Sequence, residues 1–264
     1  MTVQESKKER KGALSAGGLR IVVFALFAGS WQFFAARMEN MLIPTFTEMV
    51  GGFVQLVVIS GRIWEPLYIS NQALVLGYLF SIVVAIPLGL AAGRVRWIDK
   101  LLNPYIGVLL AIPVAPLIPI VITALGLGLT SRVVIVFLFA FIFITVNTRA
   151  GVRNVDPGLI EMAKSFGANE RQIWRRIVIP GAVPGIFVGL RIGLARAIAG
   201  MVIVELLLVA SGLGRLLLEF AGRLQADFVF ATVLVVILEA LLLLNAMRLV
   251  EQRVAPWAHD ISVE

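Results

Sequence analysis

Asp156 to Pro180 reads DPGLIEMAKSFGANERQIWRRIVIP, a charged stretch with helical patterning set between two segments apolar enough to lie in lipid. Asp156-Pro157 is a helix start: the aspartate supplies an N-cap oxygen, and proline stands where its missing N–H costs nothing. Leu159, Met162, Ala163 and Phe166 follow at i, i+3, i+4 and i+7 and so line one apolar face. Gly167 suits the left-handed position that ends a helix, and Asn169 with Gln172 three residues on has the form of a capping box opening a second. Pro180 is expected to end that second helix before the next apolar segment. The stretch therefore reads as a short helix, a tight turn and a basic helix, with an apolar face that has no core of its own. Two uses fit such a face. Either it lies on lipid headgroups, with Arg171, Arg175 and Arg176 binding anionic lipid, or it docks a second protein.

The surroundings are membrane. The 264-residue chain is 59% hydrophobic and 15% charged, with a mean hydropathy of +0.96, too apolar for a water-soluble domain. Six apolar runs approach the roughly 20 residues needed to cross a bilayer, over residues 19–36, 72–93, 103–125, 133–147, 182–210 and 228–250. The expected fold class is all-α integral membrane protein with about six transmembrane helices. A net charge of +7 and a pI near 10.4 would point to nucleic acid in a soluble protein. In a membrane protein basic loops set orientation, and no nucleic acid partner is expected. There is no cysteine and one histidine, His259, so disulfides, thiol catalysis and Cys/His metal sites lack ligands. No metal and no covalent chemistry are expected. The first 18 residues carry Lys7, Lys8, Arg10 and Lys11 and lead into an apolar run without a small-residue cleavage site, as a retained first span does.

Alternate connections between the six runs hold four, three, six and one Lys or Arg, whereas the others hold two, one and two, counting Arg132 among the latter. The positive-inside rule then places both termini in the cytoplasm, with a basic tail over 1–18, the membrane domain over 19–250, a cytoplasmic loop over 149–181 and a C-terminal tail over 251–264. Residues 45–59, TFTEMVGGFVQLVVI, are apolar but short and include Glu48 and two glycines. They read as an outer-surface or half-inserted helix, because a seventh span would move the basic loops outside.

The opening stretch resembles the cytoplasmic EAA loop of ABC importer permeases, whose pattern is E-A-A, three residues, G, nine residues, I-x-L-P. Glu161, Ala163, Gly167, Ile177 and Pro180 match at full spacing, with Met162 and Ile179 as apolar departures. The segments IPVAPLIPIVI, NTRAGVRNVDPGLIEMAKSFGA, GLRIGLARA and SGLG are similar to the permeases of the nitrate, sulfonate, taurine and bicarbonate importer group. The resemblance implies the type I ABC importer fold in a bacterial inner membrane, and two permease copies paired as a homodimer. It also implies two ATP-binding cassette ATPases that dock on the loop, and an extracytoplasmic binding protein that delivers a small, anionic solute. Coupling then falls to Glu161, Ala163, Lys164, Gly167, Ala168, Ile177 and Pro180. A thiamine-precursor or aromatic solute is the alternative within the family. ATP and magnesium belong to the partner, since this chain contains no G-x-x-x-x-G-K-[ST], and no enzymatic site is expected here. A secondary transporter acting alone and a membrane scaffold whose hairpin binds lipid or a regulator are the readings from other classes; the secondary transporter has no use for a docking loop, and the six runs show no obvious inverted repeat.

Several residues inside the runs are candidates for a solute path. Pro113, Pro116 and Pro119 lack N–H groups, so in a helix the carbonyls of Leu109, Ile112 and Ala115 would lose their donors and need protein or water nearby; a kinked helix satisfied by its neighbours is the plainer reading. Arg191, Arg196 and Glu205 lie in the fifth run, and charges within a span are expected to carry function. Arg191 and Glu205 fall within about 40° of each other around a helix but about 21 Å apart along it. Arg196 either pairs with Glu239 of the sixth run, fixing two helices, or faces the path and favours an anion. Arg191 either shares that path or snorkels to the inner surface. Residues 211–228 are expected on the outer face, with Leu216, Leu217 and Phe220 on a surface or re-entrant helix.

Overall fold

The structure, a computed structural model, describes residues 3–38, 42–207 and 211–258, with side chains between Gly17 and Trp257. His259, the end of the C-terminal tail and Ala210, where the fifth run was expected to end, lie outside the described residues, as do the side chains of Lys7, Lys8, Arg10 and Lys11.

Every regular element among the described residues is helical. In chain order they are α1 (Val3–Arg37), α2 (Phe46–Val54) prolonged by a π turn, α3 (Trp64–Arg94), α4 (Arg96–Ala111), α5 (Leu117–Leu125), α6 (Leu129–Arg153), α7 (Pro157–Ser165), α8 (Glu170–Ile173), α9 (Ile179–Leu207), α10 (Gly212–Gly222) and α11 (Ala226–Val254). Long apolar runs become helices because hydrocarbon offers the backbone no partner, and a helix pairs its own N–H and C=O groups. Five stretches are long and apolar enough to cross a bilayer: Gly17–Arg37 of α1, α3, α6, Glu170–Leu207 and α11.

The third expected run departs from this pattern. Instead of one helix over 103–125 it is α4 and α5, 16 and 9 residues long, separated by an irregular stretch that holds Pro113 and Pro116. Ile112 stands at φ −74°, ψ 123°, the extended conformation that a following proline imposes. Pro119 is harmless in the first turn of α5, and Ala115 regains a donor from the Ile118 N–H at 3.1 Å. The pair still returns the chain along the bundle. Gly77, Gly89 and Gly93 of α3 face Val133, Thr148 and Val152 of α6 in the same order, so α3 and α6 are parallel and the chain between them must travel back their full length.

The chain folds as two compact units, one of α1 and α2 with Glu219–Val235, the other of Trp64–Leu218 with the chain from Val236 onward. In the first, Trp31 packs on Phe46 and Phe230 with ring centroids 6.0 and 5.8 Å away. Its indole N–H donates to the Pro44 carbonyl at 3.0 Å. Thr45 caps α2 in a capping box with Glu48, and the Thr45 backbone N–H and hydroxyl hold the Glu48 carboxyl below its usual pKa. Phe46–Ile59 falls short of a bilayer crossing. Arg62 pairs with Glu219 at 3.0 Å.

The second unit is built on α3, α6 and α9. Small residues stand at every fourth position of α3, namely Gly77, Ser81, Ala85, Gly89 and Gly93. The α9 stripe of Gly181, Gly185, Gly189, Gly193 and Ala197 repeats the spacing. A Cβ at Gly189 would lie 2.9 Å from that of Asn147, and one at Gly185 would lie 2.5 Å from the Gly151 Cα. Only glycine permits such an approach, and close backbones are what hold helices together where lipid removes the hydrophobic drive.

Candidate functional site

The stretch from Asp156 to Pro180 folds locally as its capping residues dictate. Asp156 accepts the Gly158 N–H at 2.7 Å, and α7 follows. Gly167 at φ +79° ends it in a Schellman arrangement, its N–H reaching the Lys164 carbonyl at 2.9 Å while the Ala168 N–H reaches that of Ala163 at 3.0 Å. Asn169 and Gln172 exchange both capping-box bonds, at 2.8 and 2.9 Å. The root of the segment is anchored by Ile173 and Val178, each 1% exposed. Its tip is open: α7 buries no residue, and Leu159, Met162 and Phe166 are exposed, Phe166 to 85%. Glu161, Lys164 and Gly167 are exposed as well, with Ala163, Ala168, Ile177 and Pro180 half-buried. Glu170 receives Lys164 at 3.7 Å and Arg94 at 3.5 Å, surface pairs that steady the turn by about 0–1 kcal/mol each.

Pro180 does not end the second helix. Helix α8 runs through a π turn, Trp174–Val178, directly into α9. Proline in an α-helix clashes with the carbonyl four residues back, here Arg176. The wider π turn, closed by the Ile179 N–H on the Trp174 carbonyl, makes room for the ring without breaking the helix.

Inside the bundle the charges pair differently from the expectation. Glu205, expected along the path, is 0% exposed, and its own chain occupies its surroundings. The Ser70 hydroxyl lies 2.9 and 2.7 Å from its two oxygens, the Gly214 N–H donates at 3.1 Å, and Arg132 approaches at 3.4 Å. The Leu213 N–H in turn donates to Ser70 Oγ at 2.9 Å, and Arg132 also donates to the Ile69 carbonyl at 3.1 Å. Gly212, at φ +61°, brings the chain past this carboxylate so closely that any Cβ would strike Ser70 and Glu205. Arg132 is thus no loop cation but a helix residue, 7% exposed. Residues 211–228 do hold a helix, α10, but Leu216, Leu217 and Phe220, expected on a surface or re-entrant helix, are buried.

Arg196 and Glu239 do not pair. Glu239 accepts from Asn71 at 2.6 Å, whereas the Arg196 guanidinium carbon lies over the Phe143 ring, 4.8 Å from its centroid. Arg191 meets Glu251 at 2.9 Å, joining α9 to α11. Asp99 receives Arg149 at 2.5 Å and Arg153 as well, binding α4 to the end of α6. Pro113, Pro116 and Pro119 are exposed at and just after the α4–α5 break. Ser70, Asn71, Arg132 and Glu251 escaped the sequence reading because each sits at or near the edge of an apolar run, where polar residues are ordinary.

The chain is thus a polytopic helical membrane protein with an interrupted span, an ion pair sealed inside the bundle and one short helix with an exposed apolar face. Over residues 85–256 the chain matches the family described as binding-protein-dependent transport system inner membrane component, and it belongs to that family. It is an ABC transporter permease, a multi-pass inner-membrane subunit that works with ATPase subunits and a binding protein, and ATP is hydrolysed on the separate ATPase. The taurine transport system permease protein of Escherichia coli (strain K12) is 30% identical over 76% of this chain and 74% of its own. The riboflavin transport system permease protein of Chloroflexus aurantiacus is 32% identical over 82% and 80%. An inward-facing structure of the MetNI methionine ABC transporter shares the fold with a TM-score of 0.65 at 19% identity, over 74% of this chain and 98% of that one.

Proposed function

We propose that two copies of this chain form the translocation path of an importer for a small organic or inorganic anion of the sulfonate, taurine, nitrate or bicarbonate class, delivered by an extracytoplasmic binding protein. The solute class rests on the resembled group and on the taurine permease relative. Residues 149–181 face the cytoplasm, and α7 docks in the ATPase through Leu159, Met162 and Phe166, with Glu161, Ala163, Lys164, Gly167 and Ala168 shaping the contact. Ile177 and Pro180 lie in the continuous stretch that carries ATPase movement into α9. The observation that carries this reading is the exposed apolar face of α7 on a segment whose root is packed and whose other end is a membrane helix. The α4–α5 break with Pro113 and Pro116, and Pro119 just after it, lies beside the path, and membrane lipid surrounds the rest.

The test is purification in mild detergent from native membrane, followed by mass spectrometry of what stays bound. A P-loop ATPase is expected with the wild type and not with Glu161→Arg/Gly167→Pro. Absence of an ATPase from both would return the loop to a lipid-surface role. A second solute reading has one observation in its favour, the riboflavin permease relative, which keeps an aromatic heterocycle among the candidates.

A further inference from the structure

Arg196 is placed where a charge is hardest to keep. Helix α9 runs Ile179–Leu207, so Arg196 is about 15 Å or more from either end. Its neighbour Phe143 on α6 is likewise about 15 Å or more from both ends of that helix. Since the hydrocarbon core is about 30 Å thick, the guanidinium sits close to mid-depth.

Elsewhere in the spans Arg132 and Glu205 answer each other and Arg191 meets Glu251, while Glu239 takes a hydrogen bond from Asn71 on one oxygen and, among the described residues, leaves its other buried oxygen without a partner. Among the described residues Arg196 makes no ion pair and no hydrogen bond, only its contact with the Phe143 face. That contact holds the guanidinium against the ring face, and its five N–H donors make no hydrogen bond to the described residues. Arg196 is exposed, and so are Val188, Ile192, Ala195 and Ala199 along the same side of α9. The two alanines flank it with short side chains and leave room beside the donors. An unanswered arginine at this depth does not face lipid.

We propose that Arg196, held on the Phe143 ring, is the solute-selecting residue of the path: its guanidinium receives the oxyanion head of the solute, sulfonate, nitrate or carbonate in kind, through paired N–H bonds. A planar fork of donors matches an oxyanion better than a point charge does. The ring keeps the arginine extended between solutes without a carboxylate that would compete for it. This assignment rests on the anionic reading above and deepens it.

The test uses the full transporter, this chain with its ATPases and binding protein, in proteoliposomes supplied in turn with labelled taurine, methanesulfonate, nitrate, bicarbonate and riboflavin. Uptake of at least one of the anions by the wild type is expected. On that anion Arg196→Gln should lose on the order of tenfold or more in rate, with Arg196→Lys intermediate, because a site built to bond a solute is left unpaired without it. Phe143→Leu should weaken uptake less and chiefly through a raised KM. Co-purification of the ATPases with each variant checks assembly. Wild-type uptake of the anion by Arg196→Gln would overturn the proposal while leaving the anionic reading in place. Equal loss in Arg196→Gln and Arg196→Lys together with loss of the ATPases would also overturn it, making Arg196 a contact between subunits. Uptake of riboflavin alone would overturn both.

Discussion

Glu205 shows how one residue changes meaning between sequence and structure. As a letter in an apolar run it is a candidate for the path; in the fold it is the centre of a knot that ties α3, α6 and α9 to the start of α10. Two consequences separate the knot from a path. Arg132→Met strands a buried carboxylate and should cost about 3–5 kcal/mol, read as a lowered thermal midpoint in detergent. Glu205→Gln keeps acceptors and donors for Ser70 and Gly214 and should cost less, and adding it to Arg132→Met should recover much of that loss. A path residue would instead change uptake and leave the midpoint alone. The charges themselves were legible, but their partners were not: Arg132 lies 73 positions from Glu205, and spacing along a chain carries no record of contacts made only when three helices meet. The Arg196–Glu239 pairing failed for the same reason. Equal depth in a membrane does not imply a shared side.

At the scale of the element, local signals served well. The caps at Asp156, Gly167 and Asn169 were each readable because a cap is decided within four residues. Pro180 was misread because the same proline that breaks an α-helix passes when the turn before it is a π turn, and nothing in WRRIV announces that widening. The small-residue stripes of α3 and α9 were present in the sequence as a period of four and went unread. Their importance can be measured: Gly185→Leu or Gly189→Leu should push α6 from α9 and cost a few kcal/mol, seen as poor yield and a lower detergent midpoint. Gly29→Ala, where a Cβ meets nothing within 4 Å, should be neutral. Gly167→Ala, in the left-handed region at φ +79°, should cost about 1 kcal/mol of local order and loosen α7 without unfolding the bundle, as hydrogen exchange across 157–170 would show.

For the whole molecule, hydropathy was enough to identify an all-helical membrane fold but set the third crossing as one helix, because composition does not distinguish an apolar helix from two halves with a break. Direction of travel is the more reliable guide, and parallel α3 and α6 demand the return. Orientation has a clean test, since the chain has no cysteine and any introduced one is the only thiol. Ser165→Cys should react with a membrane-impermeant maleimide in inside-out vesicles and not in intact cells. Ser60→Cys should do the reverse. Labelling of both from one side would remove a crossing and with it the cytoplasmic place of α7.

The uninterrupted run from Glu170 to Leu207 makes the peripheral helix and the membrane helix a single crank about 57 Å long. Along its length the π turn Trp174–Val178 and Pro184 are the places where such a helix bends. Pivoting by about 10° on the π turn would sweep Arg196, about 27 Å further along the axis, through about 5 Å. That arc exceeds the reach of a hydrogen bond, so the proposed grip of Arg196 on an oxyanion would not survive such a pivot.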